Sequence, residues 1–171
     1  MDPKKYPIGY YRPPEIITGE QITAWIQEIA EFPDQLEAVV ASLPMDALDL
    51  RYRPEGWTIR QVVYHLGDSH LNSYVRFMWT LTEDSPLIKA YGEASWAEVH
   101  SSNSSIQAPL QFLKALHVRW VDLLNGIEGD QWDRIFKHPE NGREVSLKKN
   151  LGLYAWHGKH HLAHIHMALE S

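Results

Sequence analysis

Four long segments of the chain carry apolar residues at the spacing of an α-helix, and strand-like alternation is nearly absent. The segments start near Thr18, Thr58, Pro109 and Ser146. Each apolar stripe has to be buried against another, and helices joined by connections of loop length bury their stripes in a bundle. The sequence therefore predicts an all-α four-helix bundle with long loops, as a single domain over residues 1–171.

Proline placement adds detail to this prediction. Residues 6–15 are rich in Pro, Gly and Tyr. They predict an extended N-terminal arm, because proline fixes its own φ angle and disfavours a helical conformation at the residue before it. Pro33 falls inside the first apolar pattern and predicts either a kink or two abutting helices there. Residues 130–145 are irregular and predict a small hairpin before the last helix.

Two pairs of residues have the spacing of a capping box, in which a hydroxyl side chain and a Glu or Gln three residues later satisfy each other's backbone N–H groups. Thr58 and Gln61 predict the start of the second long helix. Ser95 and Glu98 have the same spacing, and they predict one short helix between the second and third long helices.

The composition excludes several kinds of site. The chain has no cysteine, so disulfides, thiolate nucleophiles and cysteine-based zinc sites are excluded. Its net charge of −6 argues against nucleic acid as a partner, because phosphate binding needs a basic patch. No stretch approaches the ~18 apolar residues of a transmembrane helix, and residues 1–14 lack the apolar core of a signal peptide. We therefore expect a cytoplasmic protein with neither nucleic-acid nor membrane partners.

Histidine is in excess, and its placement is informative. Five of the ten histidines fall in WHGKHHLAHIH at 156–166. On a helical wheel, His157, His160, His161 and His164 lie within an arc of about 100° beside the apolar stripe. His157 and His161 are closest to that stripe, whereas His160 and His164 point further outward. We therefore prefer His157 and His161 as inward-facing ligands.

Two imidazoles one helical turn apart can bind a single ion at ~2.0–2.1 Å, and a third ligand must then come from another helix. The second helix offers His65 and His70. His70 falls in the apolar stripe, which is typical of a core residue, whereas His65 has the polar neighbours that a ligand uses as hydrogen-bond partners. The pattern leaves both open, and Asp68 is a candidate for orienting a ligand or acting on bound water. Three neutral ligands would leave a position for water, as in catalytic sites.

The same histidines could instead form a solvated or pH-sensitive face of a non-catalytic bundle. The remaining histidines, His100, His117 and His138, are interpreted as structural. The seven tryptophans are interpreted as core or pocket-wall residues.

Two segments in combination, GWTIRQVVYHLGDSHLNSYVRF and LGLYAWHGKHHLAHI, resemble a known family. Together with YPIGYYRPPE, LHVRW and FKHPENG, they are similar to the DinB/YfiT-like superfamily, and specifically to its YfiT-type metal-dependent hydrolases. The resemblance implies a four-helix bundle with unusual connections, a homodimer, and one divalent ion per chain, zinc or nickel. Carried over residue by residue, the family's three ligands fall on His65, His157 and His161, which favours His65 over His70.

The resemblance also implies an enzyme that acts on a small molecule. Our first hypothesis is hydrolysis by water that the metal activates. The second is thiol S-transfer, because relatives include enzymes that join a low-molecular-weight thiol, such as bacillithiol or mycothiol, to an electrophile. The third is a non-catalytic bundle whose histidines bind metal incidentally. The sequence assigns no catalytic residue or general base.

Overall fold

Each predicted apolar stripe becomes the buried face of a helix in the computed structural model, which describes residues 2–99, 104–140 and 142–170. The helices are α1 (Gly19–Val40), α2 (Ile59–Thr82), α3 (Glu93–Val99), α4 (Gln107–Asn125) and α5 (Leu147–Leu169), and the strands are β1 (Ile135–Lys137) and β2 (Glu144–Ser146). Both α1 and α2 pack against α4 and against α5. The four long helices therefore form a bundle, which confirms the all-α prediction. None of the helices in these residues is long and apolar enough to cross a membrane.

Helix α2 begins at the predicted capping box. The Thr58 hydroxyl accepts a hydrogen bond from the Gln61 backbone N–H at 3.1 Å, and the Gln61 side-chain oxygen accepts one from the Thr58 backbone N–H at 3.0 Å. Thr18 caps α1, accepting from a backbone N–H at 3.3 Å. Ser146 precedes α5 as predicted, but its side chain makes no capping hydrogen bond.

Replacing Thr58 by Ala is expected to lower the free energy of unfolding by about 1 kcal/mol, because one N–H of the first turn loses its acceptor. Urea denaturation at pH 7.5 measures this loss. Thr58→Ser is the matched control, and it should retain most of the stability because it keeps the hydroxyl. Equal losses in the two variants would show that the hydroxyl does not cap the helix.

Pro33 lies inside α1, which continues through it as one helix. The alternative of two abutting helices is therefore wrong. Proline has no backbone N–H to donate to the carbonyl of Ile29, four residues earlier. That carbonyl instead accepts from the ring Nδ1 of His117, on α4, at 2.6 Å. The acceptor that proline leaves without its helical partner is thus satisfied by a side chain from another helix.

Helix α3 exists as predicted, but its proposed capping box is wrong. The helix starts at Glu93, so Ser95 and Glu98 both lie within it. Its first turn is closed by the Trp96 backbone N–H, which donates to the carbonyl of Gly92 at 2.9 Å. The spacing located the helix but placed its cap at Ser95, three positions after Gly92, the residue that precedes the helix.

The predicted hairpin is also present. Strands β1 and β2 are antiparallel, with Phe136 opposite Val145; Asn141, between them, lies outside the described residues. The backbone N–H of Lys137 donates to the carbonyl of Pro86 at 2.8 Å. The hairpin therefore joins the loop after α2 to the start of α5.

Histidine rings lie where two apolar clusters meet in the interior. The first cluster includes Phe32, Leu36, Val40, Ile59, Val63, Leu66, Leu113 and Ile165, and the second includes Ile29, Phe77, Trp120, Leu124, Trp132, Leu147 and Leu151. The ring centroid of His70 is 5.6 Å from that of Phe32 and 5.9 Å from that of Trp120. For His117 the same two distances are 5.9 and 5.7 Å. Both histidines are thus packed between the clusters.

Helix α5 lies unusually close to α1 and the N-terminal arm because two of its residues are glycines. A Cβ atom at Gly158 would be 2.8 Å from the ring of Phe32 on α1. A Cβ atom at Gly152 would be 2.5 Å from the hydroxyl of Tyr11 and 2.7 Å from the ring of Trp25. All three distances are shorter than van der Waals contact, so no larger side chain fits at either glycine without displacing a neighbour.

Candidate metal centre

Three imidazole rings from two helices converge at the centre of the bundle. His65 comes from α2, and His157 and His161 come from successive turns of α5. One ring nitrogen of each lies within 4.8 Å of the others. The Nε2 atoms of His65 and His157 are 3.3 Å apart. The structure thus brings together the three residues that the family resemblance implies, and His70 is not one of this group.

This separation fits a metal ion. A tetrahedral ion with metal–nitrogen bonds of ~2.0–2.1 Å holds two ligand nitrogens about 3.3 Å apart. Three imidazole nitrogens are a donor set that zinc and nickel both accept, and they leave at least one coordination position for another ligand. The group therefore has the chemistry and the spacing to hold one divalent ion.

The electrostatics of the group favour the neutral, metal-binding form of each ring. Burial, with a smaller contribution from His160, lowers the pKa of His65 to about 4. Burial and the neighbouring histidines hold the pKa of His157 and of His161 well below the usual value. At pH 7 these rings are neutral, so their lone pairs are available without competition from protons.

His70 and His117 lie behind His157 rather than in the group of three. Nε2 of His70 is 3.1 Å from Nδ1 of His157, and Nδ1 of His70 is 2.7 Å from Nε2 of His117. Nδ1 of His117 in turn donates to the Ile29 carbonyl, as described above. The sequence left His70 open as a third ligand and treated His117 as structural; its only useful signal was that His70 falls in the apolar stripe, which indicates burial.

A second histidine group shows where the wheel was wrong. His160 and His164 were expected to point outward, yet they are only 7% and 3% exposed. The ring of Tyr6, from the N-terminal arm, lies 6.1 Å from His160, and the ring of Tyr52 stacks on His164 at 3.9 Å. These covering residues are distant in sequence, so periodicity along α5 could not reveal them. His160 and His164 also form a group with His161, in which one ring nitrogen of each lies within 4.8 Å of the others.

Aromatic rings surround the candidate metal centre. The ring of Trp57 lies 4.5 Å from His65 and 6.1 Å from His161, and the ring of Tyr154 lies 5.4 Å from His157. These contacts limit the access of water to the ligands. Asp68 is half-buried and belongs to neither histidine group, so its role near the metal remains a prediction.

A cavity of about 700 Å³ leads from the surface to His157, which is partly open to it. Its polar lining includes Ser69, Arg76, Glu93, Asn150 and, from the hairpin, His138. Burial raises the pKa of the Glu93 carboxyl, and nearby Arg76 opposes this. The volume is that of a typical small-molecule site, and the cavity touches one of the three converging histidines. His100 lies outside the described residues.

The sequence and fold both match known proteins. A family model described as the DinB superfamily matches residues 28–165. A protein of Oceanobacillus iheyensis is 48% identical over 162 residues, which are 95% of this chain and 94% of that protein. A protein of Bacillus cereus strain 03BB102 is 47% identical over 165 residues, 96% of this chain and 95% of that protein. Both are provisionally named metal-dependent hydrolases.

Two solved structures share the fold. YfiT from Bacillus subtilis, described as a probable metal-dependent hydrolase with an unusual four-helix bundle topology, is 43% identical with a TM-score of 0.95, over 98% of this chain and 97% of YfiT. A mycothiol-dependent maleylpyruvate isomerase is 14% identical with a TM-score of 0.60, over 81% of this chain and 60% of that protein. The second match is a likeness of fold alone.

Proposed function

Since the chain belongs to the DinB superfamily, we propose that it is a metal-dependent hydrolase in which His65, His157 and His161 hold one divalent ion, zinc or nickel. The observation that carries this proposal is the convergence of three neutral imidazoles at the end of a cavity, with two of their nitrogens 3.3 Å apart. Those of His65 and His161 are buried, and that of His157 is partly open to the cavity. The provisional names of its relatives support the same activity.

In this proposal the protein's own side chains hold the ion, orient the substrate and exclude bulk water. A divalent ion bound there supplies Lewis-acid chemistry, which lowers the pKa of a water molecule toward ~7. Trp57 and Tyr154 shield the ligands, so the reaction takes place in surroundings of low polarity. The Nε atom of Arg76 is buried without a hydrogen-bond partner in the described residues, and it can donate to a polar oxygen of a small-molecule substrate.

We also propose a homodimeric, cytoplasmic protein, as the family resemblance implies. Sedimentation equilibrium at micromolar concentration measures whether the protein is a dimer. The site itself does not depend on a second subunit for its metal, because all three proposed ligands come from one chain.

The proposed function predicts one ion per chain and hydrolysis that depends on it. Protein prepared without a histidine tag should contain about one zinc or nickel ion per chain, measured by elemental analysis. The metal-loaded enzyme should hydrolyse members of a panel of small esters and amides in water alone, and chelation should abolish this activity. The exposed His166 is on the opposite face of α5, so His166→Gln is the matched control and should keep both metal and activity.

The two alternatives give different results in the same assay. Thiol S-transfer predicts turnover of an electrophile only when a low-molecular-weight thiol is supplied. A non-catalytic bundle predicts no turnover under either condition, and a protein that neither contains metal nor takes up added zinc or nickel would contradict the metal centre as well.

A further inference from the structure

We infer that Ile29, His117 and His70 form a one-way chain of hydrogen bonds that fixes the tautomer of His157 and leaves its Nε2 lone pair for the metal. His117 and His70 are therefore positioning residues, which act through His157. This inference rests on the proposed metal centre, but it concerns the state of the protein before any metal binds.

The direction of the chain is set at its far end by Pro33. Because proline lacks an N–H, the carbonyl of Ile29 has no donor from the usual position in its own helix. Nδ1 of His117 lies 2.6 Å from that carbonyl oxygen. A carbonyl can only accept a hydrogen bond, so Nδ1 of His117 must carry the proton.

The direction of each hydrogen bond then determines which nitrogen donates in the next one. A neutral imidazole has one N–H and one acceptor nitrogen, so Nε2 of His117 accepts from Nδ1 of His70 at 2.7 Å. Nε2 of His70 is then the acceptor of that ring, and Nδ1 of His157 donates to it at 3.1 Å. His157 is thereby left with an unprotonated Nε2, the atom that lies 3.3 Å from Nε2 of His65.

Packing holds the rings of this chain in one orientation. His70 is fully buried and His117 is 1% exposed, so water does not compete for their nitrogens. Phe32 and Trp120 contact both rings. The opposite tautomer of any one ring would place two donors or two lone pairs against each other inside the protein, which is costly because neither can be hydrated.

The chain also orients the ligand. A ligating histidine that donates its second N–H to a fixed acceptor has its tautomer and ring plane set before the metal arrives, and loss of such a partner typically costs 10- to 100-fold in metal affinity. Here the acceptor is another histidine, whose own orientation depends on α4 and on the proline in α1. Three helices besides α5 thus contribute to one metal–nitrogen bond.

The direct test is the tautomer of His157 in the metal-free protein. Two-bond proton–nitrogen correlation spectra at pH 7.5, with histidine labelled by ¹⁵N, distinguish a protonated Nδ1 from a protonated Nε2. We expect His157, His70 and His117 each to be protonated at Nδ1. Protonation of His157 at Nε2, or an averaged mixture of its tautomers, would overturn the inference whether or not the protein is later shown to be a hydrolase.

Two substitutions of His117 provide a matched pair. His117→Phe fills the ring volume but removes both the donor and the acceptor, so we expect a mixture of tautomers at His157 and metal affinity lowered 10- to 100-fold. In His117→Gln, the amide N–H₂ can donate to the Ile29 carbonyl while the amide oxygen accepts from His70. This variant should restore the single tautomer and bring the affinity to within a few-fold of the wild type.

Competition with a chelating dye measures the affinity, and circular dichroism checks that each variant is folded. If His117→Phe bound metal as tightly as the wild type and kept one His157 tautomer, the chain would not position the ligand. If the phenylalanine variant failed to fold, the comparison of His117→Gln with the wild type and the wild-type spectrum would still decide the matter. Loss of hydrolysis alone, with affinity and tautomers unchanged, would count against the proposed reaction and not against the chain of hydrogen bonds.

Discussion

Lowering the pH from 7 to 5 is expected to destabilise the metal-free protein by several kcal/mol. Burial holds the pKa of His65 and of His117 at about 4 in the folded state, against ~6.5 in the unfolded chain. The unfolded state therefore binds protons more readily, so the stability is complete above pH ~6.5 and is lost as the pH falls toward 4. Each group contributes a slope of about 1.4 kcal/mol per pH unit in that window.

The summed loss of stability from these histidines is large for a protein of this size. The two groups together account for about 4 kcal/mol between pH 7 and 5. His70, His157 and His161 also have a lowered pKa because of burial, and they act in the same direction. Since single domains are stable by only about 5–15 kcal/mol, we expect acid unfolding of the metal-free protein near pH 5.

Urea denaturation in the presence of a chelator, from pH 7.5 to pH 5, measures this dependence. His117→Phe should reduce the slope by the contribution of one histidine, about 1.4 kcal/mol per pH unit. His166→Gln is the matched control, because that side chain is exposed, and its slope should equal that of the wild type. A free energy of unfolding that stayed constant down to pH 5 would show that the buried histidines are not held neutral.

The second large effect is expected from removal of a ligand. Zinc bound by protein side chains is worth about 10–16 kcal/mol in total, so one of three or four ligands accounts for roughly 3–4 kcal/mol, or about two to three orders of magnitude in the dissociation constant. His65→Ala and His157→Ala should each lose metal to this extent, since their Nε2 atoms face each other. Chelator competition measures the dissociation constant, and the His117 variants above should fall between these and the wild type.

The neighbouring histidine group supplies the control for this experiment. His160 is buried on the same helix as His157 but does not belong to the group with His65. His160→Asn should therefore keep the affinity within a few-fold. If His160→Asn lost the ion while His157→Ala retained it, the ion would have to be bound by the group of His160, His161 and His164 instead.

Most of the fold could be predicted because helical periodicity and capping are local. Apolar spacing identified four long helices, and Thr58 with Gln61 fixed the start of the second, since a cap depends on residues within one turn. The spacing of Ser95 and Glu98 misled because nothing in it distinguishes the start of a helix from its interior. For Pro33 the sequence left a kink and two abutting helices open, and only the second is wrong. The partner of the free carbonyl comes from another helix, which a local pattern does not show.

The site was less predictable, for a related reason. A wheel states which side of a helix a residue occupies, but not what covers that side. It selected His157 and His161 and left His65 and His70 unresolved, because the choice depends on how α2 is turned against α5. The wheel could not assign His117 a partner. It also predicted that His160 and His164 point outward, whereas the N-terminal arm and Tyr52 cover them.

Gly158 has no side chain to take part in chemistry, but it affects the metal centre through the packing of α5 against α1. The gap between α1 and α5 there is set by the backbone of Gly158 against the ring of Phe32, and the residue just before Gly158 is His157. Any larger residue would move α5 outward and carry His157 away from His65, so the bundle could survive a substitution that the metal centre would not. In a library of variants screened for both properties, this position should separate proteins that are folded from proteins that are active.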